Sequence, residues 1–309
     1  MRLQSMAPTT TSSSSPDDAG ADGRDPHASY RSIDFLLRGS SVHTNAHLRE
    51  FARLFEHNLL DKLQRDDNYA SWSNTKGRTL RKEITESMAA IGRVRRELRK
   101  GVKRAERERL CVFDLCSGKG LLSACAGYAF GNDDGVDSVR VHMVDNDSRM
   151  KLDHLKSETE RVTFHAMDIY SSDLDALVAR ECAAPNTRVV IVGVHLCGEL
   201  SRRAIELFVG YKCDVLVLAP CCLVRERKSG KRRFGTFGYG LSAAAKRLGA
   251  CSSDLWCKLL YDTLPSHVDD DFVRVYKTYD RDEDMLTEKS AFITARRGDG
   301  ARCDACDDA

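Results

Sequence analysis

Apolar and polar positions follow two rhythms along this chain, and the change between them falls near residue 110. Before it, apolar residues recur at intervals of three and four: Phe51, Leu54, Phe55, Leu59 and Leu60, then Leu80, Ile84, Met88 and Ile91. That spacing predicts amphipathic helices between 30 and 110, divided by the mostly polar stretch 66–77. After it, short apolar runs at 111–115, 139–147, 162–170, 188–195 and 213–220 read as strands. Between them, 121–126, 150–155, 174–182 and 199–209 carry helical spacing. The run 213–220 is almost continuously apolar, which fits a strand buried on both faces of a parallel sheet. A helical stretch near 241–260 precedes two last strands, 272–279 and 289–296, with only acidic 280–284 between them. Regular alternation predicts a doubly wound α/β fold, and a closing pair without a helix predicts an antiparallel C-terminal hairpin at the sheet edge.

Composition adds boundaries to this picture. Residues 1–28 are rich in Ser, Thr, Pro, Asp and Gly and have almost nothing to bury, so they are expected to be disordered. The chain then divides into a helical N-terminal appendage at 29–109, the α/β domain at 110–297 and an acidic disordered tail at 298–309. In that tail Cys303-x-x-Cys306 reads as incidental. No apolar run approaches a membrane span. The 12 cysteines lie mostly within or beside predicted strands and helices, without the spacing of a small disulfide scaffold. Free thiols in a reducing, cytoplasmic setting are expected, with a nucleus or organelle left open. The formal net charge of +2 hides segregation. Residues 91–110 carry nine Lys/Arg against three Glu, and 225–233 carry six against one, which points to a polyanionic partner.

The chemistry starts at Cys111-Val-Phe-Asp114-Leu-Cys116-Ser-Gly118-Lys-Gly120. A strand, a glycine turn and a helix open a nucleotide-binding βαβ unit. The third position of a dinucleotide fingerprint is Ser123, not Gly or Ala, and no phosphate-loop motif occurs anywhere. In an open α/β sheet the ligand sits at the carboxyl ends of the strands. The second strand ends at Asp145-Asn146, where an acid suits two ribose hydroxyls. The third carries Met167-Asp168. The fourth gives His195-Leu196-Cys197 and the fifth Pro220-Cys221-Cys222. Three chemistries are open to that second group. His195 can act as a base. A cysteine can add to a pyrimidine ring as a nucleophile. The four together offer zinc-type ligands, though adjacent Cys221 and Cys222 point different ways, so no metal is assigned.

Acid, turn and Gly-x-Gly resemble the first motif of class I S-adenosylmethionine-dependent methyltransferases. DLCSGKGLLS, VHLCGELSRRAIEL, LAPCCL and TEKSAFITAR together are similar to a methyltransferase-domain group akin to the tRNA acceptor-stem 2′-O-methyltransferases. The resemblance implies a seven-stranded Rossmann-like sheet and S-adenosylmethionine as cofactor. Its contacts would be Asp114, Cys116, Gly118, Gly120, Asp145, Asn146, Met167, Asp168 and His195, with Asp168 accepting from the adenine amino group. It also implies RNA modification, with ribose 2′-oxygen of a tRNA-like substrate as acceptor. The chain departs from the group at Ser290, where relatives carry Asn, and at Leu223-Val224, where the tRNA enzymes carry histidines. Methylation of a protein or small molecule, formation of 5-methylcytosine through a cysteine, and a non-catalytic RNA-binding scaffold are the alternatives.

The basic loop after Cys222 lies at the mouth of this site. Arg225, Arg227, Lys228, Lys231, Arg232 and Arg233 are expected on phosphates, and Phe237 in FGTFGYG on an unpaired base. Oligomeric state is left open.

Overall fold

A computed structural model of the chain describes residues 44–73, 77–100, 108–133, 136–158, 160–221, 241–268 and 273–298. The expectations for the termini 1–28 and 299–309, for Cys222 and for the loop through Arg225, Arg227, Lys228, Lys231, Arg232, Arg233 and Phe237 lie outside the described residues.

The described strands form one sheet. They are β1 (Glu108–Leu115), β2 (Val136–Asp145), β3 (Val162–Ala166), β4 (Thr187–Val194), β5 (Val215–Ala219), β6 (His267–Val268), β7 (Val273–Arg281) and β8 (Ala291–Arg297). Their order is β3-β2-β1-β4-β5-β8-β7-β6. The first five run parallel, while β8, β7 and β6 are antiparallel to their neighbours. This is the expected seven-stranded sheet with its C-terminal hairpin, plus a two-residue strand on the outer edge. Burial follows position. All five residues of central β5 are buried, whereas β7 alternates from Val273 to Val275 and then turns exposed.

Helices cover both faces. The N-terminal helices α1 (Ala46–Phe55), α2 (Leu59–Arg65), α3 (Ala70–Ser73) and α4 (Gly77–Lys100) lie with α5 (Leu121–Gly131) on one face. Phe51, Phe55, Leu80, Ile84 and Met88 share a core there with Val112, Val141, Val190 and Val217 of the sheet. The other face holds α6 (Ser172–Ala183), α7 (Glu199–Gly210), α8 (Leu241–Leu248) and α9 (Ser252–Thr263), packed on Phe113, Leu115, Ile191, Leu216 and Leu218. Strand alternation sends Val112 into one core and Phe113 into the other.

Two ionic braces fix the N-terminal helices. Arg93 of α4, 6 % exposed, reaches Asp282 Oδ2 at 2.7 Å and Asp280 Oδ1 at 3.1 Å in the β7–β8 hairpin. His47 of α1 contacts the other oxygen of Asp282 at 2.8 Å. Near the opposite end of the sheet, buried Glu158 accepts from Lys62 at 2.7 Å, from Tyr128 at 2.8 Å and from Tyr69.

Several boundaries differ from those expected. The third strand stops at Ala166: Met167 N makes the last ladder bond, to Asp145 O, and also bonds His165 O at 3.0 Å in a tight turn, after which Asp168 Oδ1 takes the Tyr170 N–H at 2.8 Å. The short helix expected at 150–155 is a 3₁₀ turn, Asp153–Ser157. The helical stretch 241–260 is two helices, broken at Gly249 with φ +61°.

Candidate active site

The turn after β1 is built by backbone that side chains resist. Cys116 has φ +55°, Gly118 +54° and Gly120 +76°. A Cβ on Gly120 would lie 2.4 Å from Met143 Sδ of β2, so the helix start can approach the sheet only through glycine. A Cβ on Gly118 would meet nothing within 4 Å.

Asp145, at the end of β2, grips this turn. Its Oδ2 accepts from Gly118 N at 3.0 Å and its Oδ1 from Asp147 N at 3.0 Å. A carboxylate has about four lone-pair sites, so each oxygen can still accept one hydroxyl. Asn146 and Asp168 are exposed beside it and Met167 is half-buried. The structure therefore brings Gly118, Gly120, Asp145, Asn146, Met167 and Asp168 to one edge. These residues fit S-adenosylmethionine: an uncapped glycine turn with open space, an acid with spare acceptors for the ribose, and an acid beyond β3 for the base.

Asp114 is placed differently. It is 3 % exposed, lies one residue inside the end of β1 and accepts from Ser123 Oγ at 2.6 Å. Burial pushes its carboxyl up to about 7, the Ser123 hydrogen bond opposes this, and the charge of Asp145 adds to it. It ties α5 to β1 beneath the turn. Cys116 is half-buried, and burial together with the charges of Asp145 and Asp114 pushes its thiol up to about 12, so it stays protonated.

The ends of β4 and β5 form the second half of the site. His195 has φ +63°, an uncommon conformation for a residue with a Cβ, while its backbone N still bonds Ala219 O at 2.9 Å. Cys197 Sγ and Cys221 Sγ lie 3.1 Å apart, and both reach His195 O, at 3.5 and 3.3 Å. Within the described residues, His195, Cys197 and Cys221 thus meet as expected. Cys222, the fourth member of the expected set, lies outside the described residues; among those described, a group with metal-ligand spacing is Cys111, His142 and Glu181, buried beneath α6.

The largest departure from sequence reasoning is Lys82 and Glu86. Both project from α4, and Glu86, 3 % exposed, sits 2.7 Å from His195 Nε2. Lys82 Nζ lies 2.7 Å from the same carboxylate oxygen and 3.1 Å from Nε2. Lys82 and His195, though not Glu86, line a cavity of about 940 Å³ together with Thr79, Arg81, Cys221 and Lys289, among others. Two signals in the sequence could have led there, though neither singles these residues out. Lys82 and Glu86 are an i,i+4 pair flanking the apolar stripe of α4, and Thr287-Glu288-Lys289 of the cavity wall belong to the motif TEKSAFITAR.

Comparison with known proteins agrees with this geometry. Residues 81–226, rather less than half of the chain, match a family model described as a methyltransferase domain. The matched segment runs from α4 through β5 and holds every described residue of both halves of the site except the 286–289 wall and Thr79. No curated protein sequence matches the chain. Similar solved structures include the 23S rRNA methyltransferase ErmE, at 14 % identity over 69 % of this chain and 67 % of that one, with a TM-score of 0.36. A putative class I S-adenosylmethionine-dependent methyltransferase from Listeria monocytogenes shows 11 % identity over 90 % of both chains, with a TM-score of 0.36. The mitomycin 7-O-methyltransferase MmcR shows 11 % identity over 87 % and 68 %, with a TM-score of 0.31. At these scores they say nothing about substrate. The match assigns residues 81–226 to a methyltransferase domain, and the sheet around it has the strand order β3-β2-β1-β4-β5-β8-β7-β6.

Proposed function

We propose that this domain transfers a methyl group from S-adenosylmethionine to RNA, with a ribose 2′-hydroxyl as acceptor. The observation that carries the reading is the 940 Å³ cavity, whose wall joins His195 to the cations Arg81, Lys82 and Lys289. A phosphodiester backbone needs cations at the rim, and a ribose hydroxyl needs a base at the inner wall. Arg225 to Arg233 and Phe237 would add contacts to phosphates and to an unpaired base.

S-adenosylmethionine supplies an electrophilic methyl group on a sulfonium. Gly118, Asp145 and Asp168 would hold it, through close backbone approach, ribose hydroxyls and the adenine amino group respectively. His195 would take the proton of the acceptor.

Formation of 5-methylcytosine is the second reading, since Cys221 lies in the cavity wall. Its sulfur is engaged by Cys197 and by His195 O, which favours the oxygen acceptor over a thiolate nucleophile. The division of the chain at 109 and 297, a tRNA-like substrate and a cytoplasmic setting belong to the same proposal. Among the described residues no helix is long and apolar enough to cross a membrane.

Labelled methyl transfer from the cofactor into fractionated cellular RNA and protein tests the reading. Label in RNA, released by nuclease digestion as a 2′-O-methylated nucleoside, is expected. Label in protein alone would overturn it. A covalent adduct with 5-fluorocytosine RNA would move the acceptor to carbon.

A further inference from the structure

The geometry points to a buried structural site for a divalent cation of the zinc class, held by Cys111, His142 and Glu181 between the sheet and α6. Cys111 lies four residues short of the end of β1, and His142 three short of the end of β2. The site is therefore set back from the carboxyl edge of the sheet, and it does not depend on the methyl-transfer reading.

Alternation along β1 puts Cys111 and Phe113 on the face covered by α6 and α7. Phe113 pairs in register with His142 of β2, and the two rings stack at 4.8 Å between centroids, which fixes the imidazole. Glu181 enters from the last turn of α6. One ligand atom from each of the three lies within 4.8 Å of the other two, and the residues are 2, 3 and 5 % exposed. His142 Nε2 has no hydrogen-bond partner and lies 3.6 Å from Glu181 Oε1. A buried polar atom left unpaired is costly, and a bond to a metal removes that cost.

The surroundings suit ligation. A metal on Nε2 requires the ring proton on Nδ1, and His165 Nε2 stands 2.9 Å away to accept it. Ligating histidines ordinarily have such an outer partner. Glu181 Oε1 accepts from Arg180 Nη2 at 3.0 Å and Nε at 3.3 Å, with Arg140 Nη1 at 3.5 Å. Both arginines are more than half exposed, so they come from the solvent side and keep the carboxylate ionised. Its lone pairs suffice for these contacts and a metal as well. Sulfur, imidazole and carboxylate together select a zinc-type ion over calcium or magnesium, which take oxygen. Zinc bonds of about 2.0–2.3 Å put tetrahedral ligands roughly 3.5 Å apart. The His142–Glu181 pair already has that spacing, and the widest pair would close by roughly 1 Å. On binding, the Cys111 S–H bond breaks, its electron pair stays on sulfur to bond the cation, and the proton goes to water. Nothing is oxidised or reduced. Thiolate and carboxylate neutralise the dication, water fills the fourth position, and α6 is cross-linked to β1 and β2.

Cobalt(II), added to the full chain after dialysis against a chelator, is the probe. The parent should show thiolate-to-cobalt charge-transfer absorption from one Cys111-dependent equivalent. Cys111→Ser should lose that band. His142→Gln and Glu181→Gln should weaken binding by more than the roughly 10–100-fold expected for His165→Ala, which removes only the outer partner. Cys182→Ser should keep the band, since Cys182 Sγ pairs with Cys213 Sγ at 3.6 Å and is not a ligand. A band kept in Cys111→Ser but lost in Cys197→Ser/Cys221→Ser or in Cys303→Ser/Cys306→Ser would overturn the assignment. Should Cys111→Ser fail to fold, cadmium-113 NMR of the parent reads the donor set without any substitution. A one-sulfur resonance is expected, and one with two or more sulfurs, or oxygen alone, would sink the site. Zinc should also raise the Tm of the dialysed parent, because it binds the folded chain preferentially. A parent that takes up no cobalt, and whose Tm zinc leaves unchanged, has no such site.

Discussion

The two halves of the candidate site, proposed for cofactor and for acceptor, are made in opposite ways. On the cofactor side, every contributing residue lies at a strand end or within the next few positions, and backbone does much of the work. Gly118 and Gly120 shape the turn, and Asp145 holds it through two N–H groups. On the acceptor side, His195 depends on a helix more than a hundred positions upstream, and side chains do the work. A site written in local backbone geometry is fixed as soon as the sheet forms. A site assembled between distant elements is only as good as the braces that hold those elements. The mutational consequences should differ accordingly.

The largest effect is expected at the brace. Replacing Arg93 by Met keeps an apolar stem but removes the guanidinium, whose carbon lies 3.9 Å from the centre of the Phe292 ring. It leaves Asp282 with its contact to His47 and Asp280 with Arg96 at 3.7 Å. Breaking a buried pair by removing one member costs about 3–5 kcal/mol. Urea unfolding should show that loss, and the His195–Glu86 contact should weaken before the cofactor turn does. Equal loss of both functions would mean that the two halves are not separately held.

The next is Gly120→Ala. Its Cβ would overlap Met143 Sδ at 2.4 Å, and its φ of +76° is unfavourable for any L side chain. Overpacking costs about 1–3 kcal/mol and the left-handed backbone about 1–2 more. Gly118→Ala carries only the second cost, since its Cβ meets nothing within 4 Å. It should fold with a loss of about 1–2 kcal/mol and lose cofactor affinity out of proportion. Thermal melts and calorimetry on the pair separate packing from ligand approach. A Gly118→Ala protein that binds the cofactor like its parent would take Gly118 out of the site.

Asp145→Ala follows. Losing an ionised acceptor costs about 1.5–3 kcal/mol of cofactor affinity. Part of that is indirect, because Gly118 N and Asp147 N lose their acceptor too. Asp145→Asn keeps one acceptor oxygen, so it should fall between the two. Unchanged affinity in a folded Asp145→Ala variant would remove the residue from the site.

This contrast also explains what was legible in the sequence. The doubly wound sheet, its closing hairpin and the acids at the ends of β2 and β3 follow from short-range pattern, since a strand and its turn occupy consecutive residues. Lys82 and Glu86 did not stand out because an i,i+4 pair on a helix is ordinarily a solvated ion pair. Only packing of α4 across β4, β5 and β8 turns Glu86 inward beside His195. Asp114 reads as a ligand-facing acid from the motif, yet alternation along β1 and the Ser123 hydroxyl direct it beneath the turn. The early end of β3 was hidden for a similar reason: 162–170 is apolar enough for a strand, and the Asp168 turn to Tyr170 N ends it.

The smallest effects separate the two regions by the sign of their response to pH. Asp282, in the brace, would be raised by burial alone, but its bonds to His47 and Arg93 outweigh that and hold it at about 2. Its folded value lies below the unfolded one of about 3.9, so its stabilisation is present above about pH 4 and is lost as pH falls toward 2. With the pair partly open to solvent, the amount is about 1–2 kcal/mol. Asp114, beneath the cofactor turn, behaves oppositely. Burial raises it to about 7, so the folded state binds the extra proton and stability declines as pH rises from about 4 through 7. The stability gap between the parent and Asp282→Asn should therefore close on acidification. Asp114→Asn, a neutral mimic of the protonated acid whose amide oxygen can still accept from Ser123 Oγ, should match the parent near pH 4 and become the more stable of the two as pH rises through 7. Denaturant unfolding at pH 3, 5 and 8 measures both. If the two gaps moved in the same direction, one of the two carboxyls would have been assigned the wrong environment. The independence of the brace from the cofactor turn would then fail with it.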